Sequence, residues 1–297
     1  MRRPARSSTV VMFAACVWSC STHPGGSGGG SSVDTSQGGR PATGADAGPV
    51  AQVRLANYLR PTFLQLDVCF RASDGTWYGP TLLGARDRAD GIVDSVRHGK
   101  VGPYFAIPPG VYTARLVEEG NADCLTQIQG LPDVPIASSF DASSTTTLWA
   151  TGSAISGGQA FQLRATADRS PASGKLLIRV FQLDEDYGAV DVWGQDEHDP
   201  PAELYDNLAE GDLSAAYHEF DSSKGQPFYK DFDVRPHGTS APFLTRTFNT
   251  LSDGSWTITT HYALGVGTPP VDFSMCQDGV LGPRLCYPCG LPDCTNH

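Results

Sequence analysis

The stretch HGKVGPYFAIPPGVYTARL, residues 98–116, decides how this chain is read. A Gly-led segment runs from Gly99 to Tyr104, breaks at Pro108-Pro109-Gly110, and resumes in alternation from Val111 to Leu116. Consecutive prolines fix φ and remove two backbone donors, so no helix passes through them. A Pro-Pro-Gly step suits a tight turn that also blocks pairing at a sheet edge. The flanking segments therefore read as β-strands.

The neighbouring sequence has the same period. In FLQLDVCF (63–70), Leu64, Leu66, Val68 and Phe70 share one face, while Gln65, Asp67 and Cys69 share the other, the pattern of a half-buried strand. In SWTITTHYALG (255–265), Trp256, Ile258, Thr260 and Tyr262 share a face. Asp253-Gly254 just before it is a dipeptide that often closes a hairpin. A composition of 33 Gly and 22 Pro with only 18% charged residues agrees with a turn-rich β protein.

The elements recur in order. VRLANYL (53–59), FLQLDVCF, the 98–116 stretch and STTTLWATG (144–152) are followed by LLIRVFQL (176–183), YGAVDVWG (187–194), AEGDLSAAYHEF (209–220), QPFYKDFDV (226–234) and SWTITTHYALG. Short strands at regular spacing, repeated once, predict an all-β chain of two tandem antiparallel β-sandwiches, at 51–154 and 160–268.

The arrangement G-x-V-x-x-Y…P-P-G-x-Y-T, with LDVC before it and TLWATG after it, resembles the bacterial surface-domain family catalogued as domain of unknown function 4397. The resemblance is good over 52–153 and looser over 162–268, where VDVWG stands for LDVCF, GDLSAAY for GKVGPY, and DSSKGQP replaces the Pro-Pro-Gly turn. It implies immunoglobulin-like sandwiches in an exported protein or lipoprotein, and it brings no catalytic residues.

The N-terminus carries its own signals. Arg2, Arg3 and Arg6 precede an apolar run from Val10 to Trp18, the layout of a secretory leader too short to span a bilayer. Val17-Trp18-Ser19-Cys20 resembles a lipobox, which makes Cys20 the expected lipidation site and residues 1–19 a lipoprotein signal peptide. An ordinary signal peptide is the alternative, and FAAC ending at Cys16 is a second lipobox candidate. Ser21 lacks the aspartate that signals inner-membrane retention, so the expected address is the outer membrane, with the lipid as the membrane contact.

Residues 20–50 are rich in Gly and Ser and almost free of large apolar side chains, so they read as a flexible tether. Their Gly25-x-Ser27-x-Gly29 lacks the strand and helix that a hydrolase elbow needs. Loss of the three leader arginines leaves 18 Lys+Arg against 32 Asp+Glu, a net charge of −14. Such a chain repels phosphate backbones, which argues against nucleic acid as a partner.

Removing Cys16 and Cys20 leaves Cys69, Cys124, Cys276, Cys286, Cys289 and Cys294. Cys69 and Cys124 are the two in the first sandwich and are expected to pair. The other four lie in a Cys-rich tail, 269–297, expected to carry two disulfides; Cys286-x-x-Cys289 leaves a zinc site as the alternative.

The remaining constellations are acidic loops and aromatics. DEDYG (184–188) and DEHD (196–199) offer carboxylates for Ca²⁺, against the plainer reading of solvated loops. His198, His218, His237 and His261 match no zinc-hydrolase spacing. Trp77, Tyr78 and Trp193 suit sugar stacking if exposed and core packing if not. The expected function is a non-catalytic, lipid-anchored envelope protein with no cofactor, an interaction or structural module for an envelope partner. A glycan- or calcium-binding module is the alternative, and a secreted hydrolase the third reading.

Overall fold

The alternating apolar segments form strands throughout. The computed structural model describes residues 48–297 except 61–62, 83–85, 88–90, 93–94, 155–159, 184–187, 196–199, 222–230, 249–253, 263–270, 279–285, 289–292 and 295–297. Among the described residues there is no helix. The leader, Cys20 and the tether up to Ala47 lie outside them, as do DEDYG up to Tyr187, all of DEHD, and Cys289.

The first half contains β1 (Ala51–Asn57), β2 (Leu66–Ala72), β3 (Trp77–Tyr78), β4 (Arg86–Asp87), β5 (Gly91–Ile92), β6 (Lys100–Val101), β7 (Phe105–Ile107), β8 (Tyr112–Glu118), β9 (Val134–Pro135), β10 (Thr145–Thr151) and β11 (Gln162–Ala167). One sheet runs β11-β10-β1-β6, with β7 also on β1, and the other runs β3-β2-β8-β9. Their inner faces bury Val53, Leu55, Leu66, Val68, Phe70, Leu116 and Leu148. Phe70 sits at the centre, its ring 5.5 Å from Phe105, 5.9 Å from Tyr112 and 5.8 Å from Phe140.

The Pro108-Pro109 break now has a structural reason. β7 pairs with β1 and β8 with β2, so the prolines carry the chain from one sheet to the other. The Tyr112 hydroxyl donates to the Pro108 carbonyl at 2.7 Å and pins the crossing.

The second half contains β12 (Lys175–Gln182), β13 (Val190–Gln195), β14 (Ala202–Leu208), β15 (His218–Asp221), β16 (Asp231–Pro236), β17 (Leu244–Phe248), β18 (Gly254–Tyr262), β19 (Val271–Asp278), β20 (Cys286–Pro288) and β21 (Asp293–Cys294). Its sheets are β15-β12-β18-β19-β20 and β14-β13-β16-β17-β21. Ile178, Val180, Val190, Val192, Phe232, Val234 and Ile258 fill the space between them.

Four features depart from the sequence expectations. Pairing is mostly antiparallel, but β1–β10 in the first half and β12–β18 and β17–β21 in the second are parallel. β11 falls within the sequence span of the second repeat yet pairs along its length with β10, so the chain crosses between halves at 168–174. The segment after 269 is no separate tail: β19 and β20 extend one sheet and β21 pairs with β17 in the other. Asp253 is outside the described residues, and the strands on either side of it, β17 and β18, lie in different sheets, so they form no hairpin.

β1 and β12 are buried on both faces, Arg54 and Asn57 on β1 and Arg179 and Gln182 on β12 included. One face of each lines its own sandwich. The other faces meet: Ala56, Tyr58, Trp149 and Phe181 form a cluster, Trp149 lies 5.2 Å edge-on to Phe181, and the Tyr58 hydroxyl shares a hydrogen bond with Thr259 Oγ1 at 2.7 Å.

A buried ionic network lies in the same junction. Asp168, just after β11, accepts Arg179 Nη2 on Oδ1 at 2.6 Å, and Tyr104 Oη and Thr147 Oγ1 on Oδ2, each at 2.6 Å. Arg54 Nε stands 3.7 Å from Asp168 Oδ2 and donates to Thr147 Oγ1 at 2.7 Å. Arg179 Nε does the same to Thr257 Oγ1 at 2.6 Å. Arg54 stacks over Tyr104 and Arg179 over Tyr217, each at 4.5 Å. All three charged side chains are essentially inaccessible to water.

Candidate functional site

The LDV and VDV segments place one aspartate of each half on the outer face of its sandwich, and the two are used alike. Asp67 Oδ1 accepts the Val68 amide at 2.6 Å, the Thr81 amide at 3.0 Å and the Thr81 hydroxyl at 2.8 Å, and Oδ2 accepts the Leu82 amide at 2.8 Å. Gly79 permits that loop to approach: at φ +116, a Cβ there would lie 2.8 Å from the Val68 carbonyl oxygen. Burial dominates at Asp67 and pushes its pKa up, against the pull of these donors.

Asp191, its counterpart, accepts the Asn207 amide (2.9 Å) and His237 Nδ1 (2.8 Å) on Oδ1, and the Gly238 amide (2.9 Å) on Oδ2. Burial opposes ionisation here too, but the Asn207 amide, His237 and the Gly238 amide together hold its pKa below the ordinary value. His237 is raised in turn, first by its hydrogen bond to Asp191 and then by the fields of Asp191, Asp206 and Glu203. Asp206 lies 3.3 Å from His237 Nδ1.

Asp191, Asp206 and His237 bring one potential ligand atom each within 4.8 Å of one another. One nitrogen and two carboxylates suit a zinc-like ion better than calcium, which takes oxygen donors. Both Asp191 oxygens, however, already take amide and imidazole hydrogens. The group acts as a clamp that ties β14 to the turn after β16.

The same outer face carries Trp193, beside Asp191 on β13. Arg235 lies 4.6 Å over its ring and donates from Nη2 to Asp233 at 3.0 Å, while Thr245 Oγ1 donates to the other Asp233 oxygen at 2.6 Å. In the first half Cys69 takes the place of Trp193 in the repeat, and it is bonded to Cys124. Trp77 packs on this disulfide between Arg71 at 5.5 Å and Arg115 at 4.7 Å.

Arg115 Nε and Nη2 grip both oxygens of Asp133, at 2.7 and 2.8 Å, and Nη1 holds the Cys124 carbonyl at 2.8 Å. That hydrogen bond raises the Arg115 pKa and lowers that of Asp133. The loop from Asn121 to Asp133 is thereby stapled across the first face, where the second face keeps a Trp–Arg stack.

The sequence candidates thus divide. Cys69 and Cys124 form the expected disulfide. Cys276 on β19 is the register partner of Cys286 on β20, and Cys294 ends β21. Trp77 and Trp193 are half-buried under arginines, and Tyr78 packs edge-on against Tyr112 at 5.8 Å. His218 packs edge-on against Tyr205 at 4.6 Å. His198 lies outside the described residues, and His261 sits on β18.

Where the halves meet there is also an open cleft of about 470 Å³ lined by Ala160, Gln162, Arg164, Glu210, Gly211 and Asp212. Arg164 donates from Nη2 to the Gly211 carbonyl across it. Asp168, Arg54 and Arg179 escaped the sequence reading, because a lone Asp in a linker and single arginines inside apolar strands have no local pattern. The available signal was the repeat itself, which aligns Arg54 with Arg179.

No family model and no curated protein matches the chain. Among solved structures it is similar to the Bacillus anthracis TIE protein, at 9% identity and a TM-score of 0.20, over 71% of this chain and 33% of that one. It is also similar to a Bacteroides ovatus protein described as a candidate adhesin, at 9% identity and a TM-score of 0.20, over 82% of this chain and 97% of that one. The chain therefore spans about a third of the length of the TIE protein. Likeness at this level carries no argument about function.

Proposed function

We propose that this protein is a non-catalytic, lipid-anchored module of the cell envelope, tethered through Cys20 and presenting two joined β-sandwiches to an envelope partner. The observation that carries the reading is the Cys69–Cys124 disulfide, because such bonds persist in oxidising compartments and agree with an exported chain. The leader-like N-terminus, the Gly/Ser-rich tether and the resemblance to the surface-domain family point the same way.

The use of its charged groups supports the non-catalytic part. Asp67, Asp168 and Asp191 each spend their carboxylate oxygens on holding loops and halves together, and Trp77 and Trp193 are spent on arginines. A second reading, a divalent-cation module, rests on the Asp191–Asp206–His237 group. A melting temperature that rises with added Zn²⁺, and is insensitive to it in His237→Gln, favours that reading.

Mass spectrometry of the protein purified from its native envelope tests the main proposal. A diacylated N-terminal Cys20 is the expected result. An N-terminus generated by cleavage elsewhere, with no lipid, overturns the anchor.

A further inference from the structure

The outer faces of the two sandwiches match in register and are finished differently. In the first half Cys69 on β2 stands opposite Arg115 on β8, and Arg115 grips Asp133 just before β9. In the second half the corresponding row runs from Glu203 on β14 through Trp193 on β13 and Asp233 on β16 to Thr245 on β17. A carboxylate therefore stands where the first face has a guanidinium, and a hydroxyl where it has a carboxylate.

The first face is covered by its own chain. Residues 119–133, between β8 and β9, are held over it by the Cys69–Cys124 bond and by Arg115 Nη1 on the carbonyls of Cys124 and Leu125, at 2.8 and 3.2 Å. The equivalent connection of the second half, residues 237–243, is much shorter and turns back at once: the Thr239 amide donates to the Pro236 carbonyl and the Phe243 amide to the Val234 carbonyl, each at 3.0 Å. Thr245 is exposed, and Trp193 is only half-buried. What borders the row is acidic. Among the described residues of β13, β14, β16 and this turn, Asp191, Glu203, Asp206, Asp231 and Asp233 stand against Arg235 and His237. Glu203 and Asp206 are exposed, Arg235 is engaged by Trp193 and Asp233, and His237 by Asp191 and Asp206.

We propose that this second face, around Trp193, Asp233 and Thr245, is the docking surface for a basic, extended segment of an envelope protein. Its arginine or lysine side chains meet Glu203, Asp206 and Asp233, and its backbone lies as residues 119–133 lie over the first face. Charge selects the occupant: a face of this sign attracts a cationic segment and repels a second copy of the same acidic chain. Asp233 has the capacity for it, since its oxygens accept from Arg235 and Thr245 and each carries a second lone pair. The proposal rests on the reading of the chain as an interaction module and not on its lipid anchor.

The test is an NMR titration of the oxidised, isotope-labelled mature chain carrying Cys20→Ser. The probe is a short peptide alternating arginine with serine, and the control replaces each arginine by glutamate. The arginine peptide is expected to shift the Trp193 indole and the amides of Asp233 and Thr245, and to bind more weakly as salt is added. In the double variant Glu203→Gln, Asp206→Asn, which alters only exposed side chains, its affinity should fall about tenfold. Shifts confined to other parts of the surface, an unchanged affinity in the double variant, equal binding of the glutamate peptide, or no binding at low salt each overturns the proposal. A neutral oligosaccharide such as cellohexaose that shifts the Trp193 indole where the peptide does not overturns it in favour of a glycan. Because the chain carries no lipid in this test, a negative result leaves the anchored-module reading standing, and an unlipidated native N-terminus leaves a positive result standing.

Discussion

Arg179 Nη2 donates to Asp168 Oδ1 at 2.6 Å across the boundary between the two sandwiches, with both side chains out of reach of water. The pair couples folding of one half to the other, because separation of the halves would expose two ions whose partners are fixed only in the assembled state.

Removing the anion should therefore cost more than a surface ion pair. Asp168→Asn leaves the Arg179 guanidinium buried beside a weaker acceptor, and a loss of about 3–5 kcal/mol is expected. Equilibrium denaturation of the oxidised chain checks it. A loss within about 1 kcal/mol, the scale of an exposed pair, would mean that water reaches the network in solution.

The first sandwich should depend on its staple. Cys69 and Cys124 are 55 residues apart, and closing a loop of that size contributes about 4 kcal/mol in the chain-entropy description. Replacing both by Ala should lower stability by that order and release the loop carrying Asp133. Faster amide exchange confined to residues 119–133 is the expected signature.

The clamp of Asp191 and His237 should respond to pH from both sides. The His237 pKa is raised above 6.5, so its contribution is fully present below pH 6.5 and is lost as pH rises through the raised value. The Asp191 pKa is lowered below 3.8, so its contribution is present above pH 3.8 and is lost as pH falls through the lowered value. Exchange at the Asn207 and Gly238 amides should be slowest between these limits. In His237→Gln the increase in opening on the alkaline side should vanish while the acid side persists, and an unchanged profile would assign it to another group.

The backbone register sets Cys276 opposite Cys286, a spacing between antiparallel strands that suits a disulfide. Peptide mapping without reduction is expected to recover Cys276 joined to Cys286. A Cys286–Cys289 link would rule this connectivity out.

The core should be sensitive at Phe70, which is fully buried against three other rings. Phe70→Ala is expected to cost about 3–5 kcal/mol, enough to leave the first half marginal. Phe70→Leu should cost less, because more of the volume remains filled.

Much of the scaffold was legible in the sequence for a simple reason. Alternation in FLQLDVCF, and again in SWTITT, reports directly which side chains face a core, and the Pro-Pro-Gly break marks where the chain changes sheets. What the pattern could not report was pairing between distant strands. β11 is as polar as a linker and is held by β10, and β19 looked like a tail although Val271, Phe273 and Met275 alternate as a strand should. The aspartate clamps lay in plain view within LDV and VDV. Their partners, such as Leu82 and Gly238, are brought to them only by the fold.

The central claim is that two sandwiches behave as one body. Scanning calorimetry of the oxidised mature chain tests it most directly. The account predicts a single transition with equal calorimetric and van't Hoff enthalpies, which separates into two in Asp168→Asn. Two independent transitions in the unaltered protein would contradict it.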